Sequence, residues 1–142
     1  MKKIIFTVLL ASGGILAGAQ DLKDIKTYVT LQQYPKAKEA IDKFLSNESN
    51  AKKAEAWYYK AFVYNILARD EKVTPATAGR AMISESYSAL KKYRELDPKT
   101  PLTNEEQNST VFNLYYGYYD LGVKAYNAKN FEESYSDFKG AQ

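Results

Sequence analysis

Apolar residues recur along this chain at intervals of three and four, with no sustained alternation of two. That pattern predicts helices throughout and no strands. Leu22, Ile25, Tyr28 and Leu31 predict a first helix over about 21–33. Pro35 opens a second at its first turn, where a missing N–H costs nothing. Ala37, Ala40, Ile41, Phe44 and Leu45 form its stripe, which ends in the polar run from Ser46 to Asn50. Ala54, Trp57, Ala61, Tyr64 and Ala68 predict a third helix over about 51–69. After a charged connector, Thr74 and Pro75 read as an N-cap followed by proline at the first helical position. Ile83, Tyr87, Leu90 and Tyr93 then carry a fourth helix to about Leu96, where Asp97-Pro98 stops it. Thr103 with Glu106 matches a capping box, so a fifth helix is expected from about Asn104. Its clear stripe runs through Val111, Leu114, Tyr115, Tyr118, Leu121, Gly122 and Ala125. Past a turn at Lys129-Asn130, Phe131, Tyr135, Phe138 and Ala141 predict a sixth helix. Short connectors make successive helices antiparallel neighbours.

Ahead of these helices, Lys2 and Lys3 precede an almost uncharged apolar run from Ile4 to Ala19. Ala17 and Ala19 stand two apart, the small-x-small pattern of a signal-peptidase site. The run is shorter than the roughly 20 apolar residues that span a bilayer. Residues 1–19 are therefore expected to be a signal peptide cleaved after Ala19, leaving 20–142 as the domain, periplasmic or secreted. With no cysteine in the chain there is no lipid-attachment site and no disulfide, so no membrane insertion is expected after cleavage and stability must come from packing.

Composition narrows the chemistry. The chain has no histidine and no cysteine, which removes the commonest general base and the usual zinc ligands. Ser84, Ser86 and Ser88 have no imidazole to activate them, so a Ser-His-Asp site is excluded. Glu105-Glu106 and Glu132-Glu133 are sequence neighbours, which point to different sides of a helix and form no catalytic pair. No catalytic residue, metal ligand or cofactor is expected, and an enzyme is not. The formal charge of +3 includes Lys2 and Lys3, so the remainder is nearly neutral and makes no electrostatic case for nucleic acid or anionic lipid. The unusual component is tyrosine, 13 residues against 6 phenylalanines and 1 tryptophan. Its apolar ring and polar tip suit half-wet helix contacts and binding surfaces.

One frame repeats. Phe131, Ser134, Phe138 and Ala141 stand at gaps of three, four and three, and so do Tyr34, Ala37, Ile41 and Phe44, and Ile83, Ser86, Leu90 and Tyr93. A partner frame, Trp57, Ala61 and Tyr64, returns as Tyr118, Gly122 and Ala125. These residues resemble the tetratricopeptide repeat, a 34-residue helix–turn–helix unit. The resemblance implies an all-α solenoid of antiparallel helix pairs, with three units at about 20–49, 51–98 and 103–142. The second has lengthened helices, and the third is incomplete, as in a fragment of a chain continuing past Gln142. Small residues, Ala37, Ala61, Ser86, Gly122 and Ser134, would let paired backbones approach.

In such arrays the first helix of each pair lines a concave groove that binds peptides. The resemblance implies groove positions at Leu22, Lys26 and Val29, at Tyr58, Phe62 and Asn65, and at Tyr116, Tyr119, Val123, Tyr126 and Asn127. The basic clamp that some family members use on C-terminal carboxylates is absent: Leu22, Lys26, Tyr59, Tyr116 and Asp120 stand at those places. The expected function is a scaffold of the cell envelope, presenting a tyrosine-rich groove to a peptide or helix of a protein partner. The alternatives are the N-terminal arm of a longer envelope enzyme, or a carbohydrate- or nutrient-binding module in which tyrosines stack on sugar rings.

Overall fold

A computed structural model describes residues 21–70, 72 and 76–142. Among these it forms seven α-helices, one 3-10 turn and no strand. They are α1 (Leu22–Thr30), α2 (Tyr34–Leu45), the 3-10 turn Asn50–Lys52, α3 (Ala54–Arg69), α4 (Ala76–Leu96), α5 (Pro101–Glu105), α6 (Ser109–Asn127) and α7 (Phe131–Gly140). The all-α expectation is met. The expected signal segment and the Thr74-Pro75 cap lie outside the described residues. Among the described residues no helix is long and apolar enough to cross a membrane.

The expected fifth helix is two. Gln107 and Asn108 both take positive φ, 55° and 61°, and break the helix between α5 and α6. Thr103 is not its cap. It is buried, and its hydroxyl donates to the Thr100 carbonyl at 3.1 Å. Glu106 instead serves the following helix: its Oε1 accepts from the Thr110 N–H at 3.1 Å. A carboxylate at that point satisfies one of the four orphan donors of α6 and complements the positive end of its dipole.

The helices pair through their small residues. Ala37, Ala61, Ser86, Gly122 and Ser134 are all buried. In α3–α4 the Ser86 hydroxyl donates to the Ala61 carbonyl at 2.7 Å, and in α6–α7 the Ser134 hydroxyl donates to the Gly122 carbonyl at 2.9 Å. A serine reaches the backbone of the facing helix only when nothing bulky separates them. The fit at Gly122 shows how tight the contact is, because an added Cβ would lie 2.8 Å from the Phe138 ring.

The first and last hairpins are built alike. Thr30 and Asn127 end α1 and α6, and Tyr34 and Phe131 begin α2 and α7, so both boundaries recur 97 residues apart. In each turn one residue takes a left-handed conformation, Gln32 at φ 55° and Lys129 at φ 61°. The next N–H reaches back to a helix carbonyl, Gln33 to Tyr28 at 2.8 Å and Asn130 to Ala125 at 2.9 Å. Such reverse bonds satisfy carbonyls that a helix end leaves orphaned.

Two buried clusters join the hairpins. Ile25, Ala37, Ile41 and Phe44 meet Ala56, Val63 and Leu67, which lays α3 over α1–α2. Tyr58, Ala61, Ile83, Leu90 and Tyr93 meet Leu114, which lays α6 over α3–α4. Arg80 adds a polar tie from α4 to α7, pairing with Asp137 and, at 2.9 Å, with Glu133.

The close contact at Gly122 makes a stability prediction. Gly122→Val places branched carbon into the Phe138 ring and is expected to cost about 1–3 kcal/mol, the usual range for overpacking. In urea denaturation the double variant with Phe138→Leu should lose less than the two single losses added together, because the sites are in direct contact.

Candidate partner-binding site

The phase of each helix decides what it can show. A helix advances roughly 100° per residue, so α6 presents Thr110, Leu114, Gly117, Leu121 and Ala125 on one side. These five are buried except Leu121, which is half-buried. Phe112, Tyr115, Tyr116, Tyr119 and Tyr126 fall on the opposite side and are exposed. The Tyr115 to Tyr119 run therefore divides as its spacing requires. Gly117 faces Ile83, where a Cβ would meet Cδ1 at 2.5 Å, and Tyr118 packs edge-on to Tyr87 with ring centroids 6.3 Å apart.

The exposed rings support one another. Tyr115 stacks on Tyr119 and stands edge-on to Tyr116, with centroids 6.3 and 5.3 Å apart. Tyr119 leans on Phe138 at 5.6 Å, and Tyr126 on Phe131 at 5.6 Å. Rings held by ring neighbours lose little further freedom when a ligand covers them, which favours binding. Phe131 and Tyr135, expected to point inward on α7, are 60% and 70% exposed. Phe131 touches α6 only through the Tyr126 ring, and none of the described elements lies over the rest of this side of α7.

Beside this surface is a cleft of about 380 Å3 between the end of α3, the start of α4 and α6. Its floor is small or apolar, from Ala68, Gly79, Ile83 and Gly117, and Tyr116 and Asp120 stand at its edge. Arg69 and Lys124 also line it. Arg69 donates to the Asn113 side chain at 3.1 Å, and Lys124 pairs with Asp120 at 2.9 Å. The cleft can take an apolar side chain whose neighbours are polar. Among the described residues no group of three or more carboxylates could hold a metal ion.

The expected groove residues separate into two sets. Tyr116, Tyr119, Val123, Tyr126 and Asn127 share the outer side of α6, with Val123 half-buried and the others exposed. Lys26 is exposed and spans α1 and α3 through a 2.6 Å ion pair with Glu55. Phe62 is half-buried, its ring 6.3 Å from both Tyr34 and Tyr58. Leu22 and Val29 are half-buried against the first cluster. Tyr58 and Asn65 must be corrected, because both are buried. They lie on the side of α3 that the next hairpin covers. Tyr58 packs 5.6 Å from Tyr93, with Leu114 in the same cluster. Sequence reading missed Phe112, Tyr115, Phe131 and Tyr135. The signal for Phe112 was present, since it falls opposite Leu114, Gly117 and Leu121, whereas Tyr115 stands about two turns from Gly122, where its spacing puts it in the apolar stripe, yet is 45% exposed.

Two interior features have measurable consequences. Asn65 is 2% exposed, and neither its amide nitrogen nor its oxygen has a hydrogen-bond partner. An unpaired buried amide costs about 1–3 kcal/mol. Asn65→Leu is therefore expected to raise the urea midpoint, where most core substitutions lower it. Burial pushes the Tyr58 and Tyr64 hydroxyls well above the ordinary tyrosine range. The nearby Glu106 charge adds to this at Tyr58, and Asp42, which accepts from the Tyr64 hydroxyl at 2.5 Å, does so at Tyr64. Raised folded values mean that this stability is complete below the unfolded tyrosine value of about 10 and is lost as pH climbs above it. Thermal melts at stepped alkaline pH should show the midpoint falling from about pH 10 upward, with a shallower fall in the Tyr58→Phe, Tyr64→Phe double variant.

Compared with known proteins, the chain matches no family model, no curated protein and no solved structure.

Proposed function

We propose that this protein is an exported, tetratricopeptide-like helical scaffold that binds a peptide or helix of a protein partner through the tyrosine-rich surface of α6 and α7. One observation carries the reading. Among the described residues ten large apolar side chains are exposed, and seven of them, Phe112, Tyr115, Tyr116, Tyr119, Tyr126, Phe131 and Tyr135, belong to these two helices. Scattered exposed apolar residues are ordinary, whereas a contiguous aromatic patch marks a place where another molecule sits. Tyrosine suits such a place because it contributes area at low entropic cost and keeps a polar tip for the rim.

The tetratricopeptide part of the reading is supported by the recurring small-residue contacts and by the matched first and last hairpins. The export part is supported by Lys2, Lys3 and the apolar run ending in Ala17-x-Ala19. The mechanism is display. Packed helix pairs hold the rings at fixed separations, and the partner gains its affinity by covering them.

Site-specific photocrosslinking in the native cell envelope tests the reading. A benzoylphenylalanine at Tyr116 or Tyr126 should yield discrete protein adducts. The same probe at Lys43, exposed on α2, should not. Identical adduct patterns at the three positions would remove the reading.

A further inference from the structure

Glycine stands at two close helix contacts where α3, α4 and α6 meet. At Gly79 an added Cβ would lie 2.9 Å from the Ala68 carbonyl oxygen, and at Gly117 it would lie 2.5 Å from Ile83 Cδ1. The first lets α4 lie against the end of α3, and the second lets α6 lie against α4. Neither glycine puts a side chain into the space between the three helices, and Ala68 adds only a methyl group. The result is the cleft of about 380 Å3. A cavity of roughly 150 Å3 holds a benzene ring, and small-molecule sites begin at about 300 Å3. The space therefore suits one ring or a short chain carrying a polar group.

The walls offer such a body two kinds of contact. Ala68, Ile83 and Leu121 supply aliphatic carbon. Tyr116 and Tyr119 supply rings, each braced by Tyr115 with centroids 5.3 and 6.3 Å apart. The charges on the walls do not cancel. Lys124 pairs with Asp120 at 2.9 Å. Arg69 gives one N–H to the neutral Asn113 side chain at 3.1 Å, and among the described residues no carboxylate pairs with it. A guanidinium carries five N–H donors in a planar fork, so most of the fork is open to an acceptor. The end of α3 and the start of α4 adjoin here, and their opposed dipole ends offset one another. Arg69 therefore sets the sign of the site.

We infer that this cleft binds a small amphipathic carboxylate, with its ring or chain in the cleft and its carboxylate on the Arg69 fork. The site goes beyond the partner-binding reading, although Tyr116 and Tyr119 border both places. A carboxylate matches the guanidinium in plane and charge through two parallel N–H···O bonds. A cationic ligand would be repelled by Arg69 and Lys124. A phosphate ester would bring about two negative charges to one unpaired guanidinium. Arg69 is exposed, so the ion pair orients the ligand more than it holds it and adds about three- to fivefold in affinity. Most of the affinity comes from apolar area removed from water.

A nuclear magnetic resonance titration of the purified protein with phenylbutyrate tests the inference. The backbone amide signals of Gly79 and Gly117 should shift saturably, and those of α2 should not. Phenylbutyramide has the same shape without the charge and should bind about three- to fivefold more weakly. Phenylbutylamine should bind more weakly still. Arg69→Gln, on an exposed side chain, should abolish the preference for the acid over the amide and leave amide binding unchanged. Ala68→Leu puts carbon into the cleft and should weaken acid and amide alike, with the circular dichroism spectrum verifying the fold. If that variant does not fold, Arg69→Gln decides alone. Shifts that grow without saturation, or that centre on Phe131 and Tyr135, overturn the inference, because the probe then only coats exposed rings. Equal binding of acid and amide, or tighter binding of the amine, overturns it as well. So does an acid preference that survives Arg69→Gln, or full binding by a folded Ala68→Leu.

Discussion

The structure depends on how closely two helix backbones can approach. In α3–α4 and α6–α7 the approach is fixed by a serine hydroxyl bonded to the carbonyl of a small residue on the facing helix, Ser86 to Ala61 and Ser134 to Gly122. This one contact solves two problems. It buries a polar hydroxyl with its partner supplied, and it clears the space into which large rings pack. Phe138 against Gly122 and Tyr118 against Gly140 are direct consequences, since each ring occupies the volume that a Cβ would need. With no cysteine in the chain, this packing must supply the constraint that a disulfide supplies in other small domains.

The same economy explains the surface. A helix pair closed by small residues cannot bury all of its aromatic side chains within itself, so each hairpin has a second apolar side. α3 covers that side of the first hairpin and α6 that of the second. The side that remains, on α6–α7, is where Tyr126, Phe131 and Tyr135 stand exposed. The proposed binding surface is thus a face of the same kind with none of the described elements over it.

Charged and polar residues refine this frame. Glu106 caps α6 at Thr110, Arg80 ties α4 to Glu133 and Asp137, and Lys26 with Glu55 links α1 and α3. The exposed pair Lys26–Glu55 adds little stability in water. The Arg80 tie reaches a nearly buried carboxylate, Asp137, and so contributes more to the position of α7 than a surface pair would. Asn65 contributes nothing of this kind, since both polar atoms of its buried amide lack a hydrogen-bond partner.

The helical type of the elements and the approximate ends of α1 to α4 and α7 were legible in the sequence, because burying one side of a helix forces a period near 3.6 that survives in the residue pattern. So were the small residues at the pair contacts, since Ala37, Ala61, Ser86, Gly122 and Ser134 interrupt stripes of large side chains at a repeated spacing. The break between α5 and α6 was not legible. It rests on left-handed backbone at Gln107 and Asn108, and Thr103 with Glu106 spelled a cap that the chain uses for another helix. Nor could the pattern separate Tyr58 from Tyr119, which occupy matching positions and look equally suited to a groove. Tyr58 is buried and Tyr119 exposed because a later hairpin covers one and nothing described covers the other. A helix's own sequence determines which side is apolar, whereas what lies against that side is a property of elements far along the chain and is decided only when they pack.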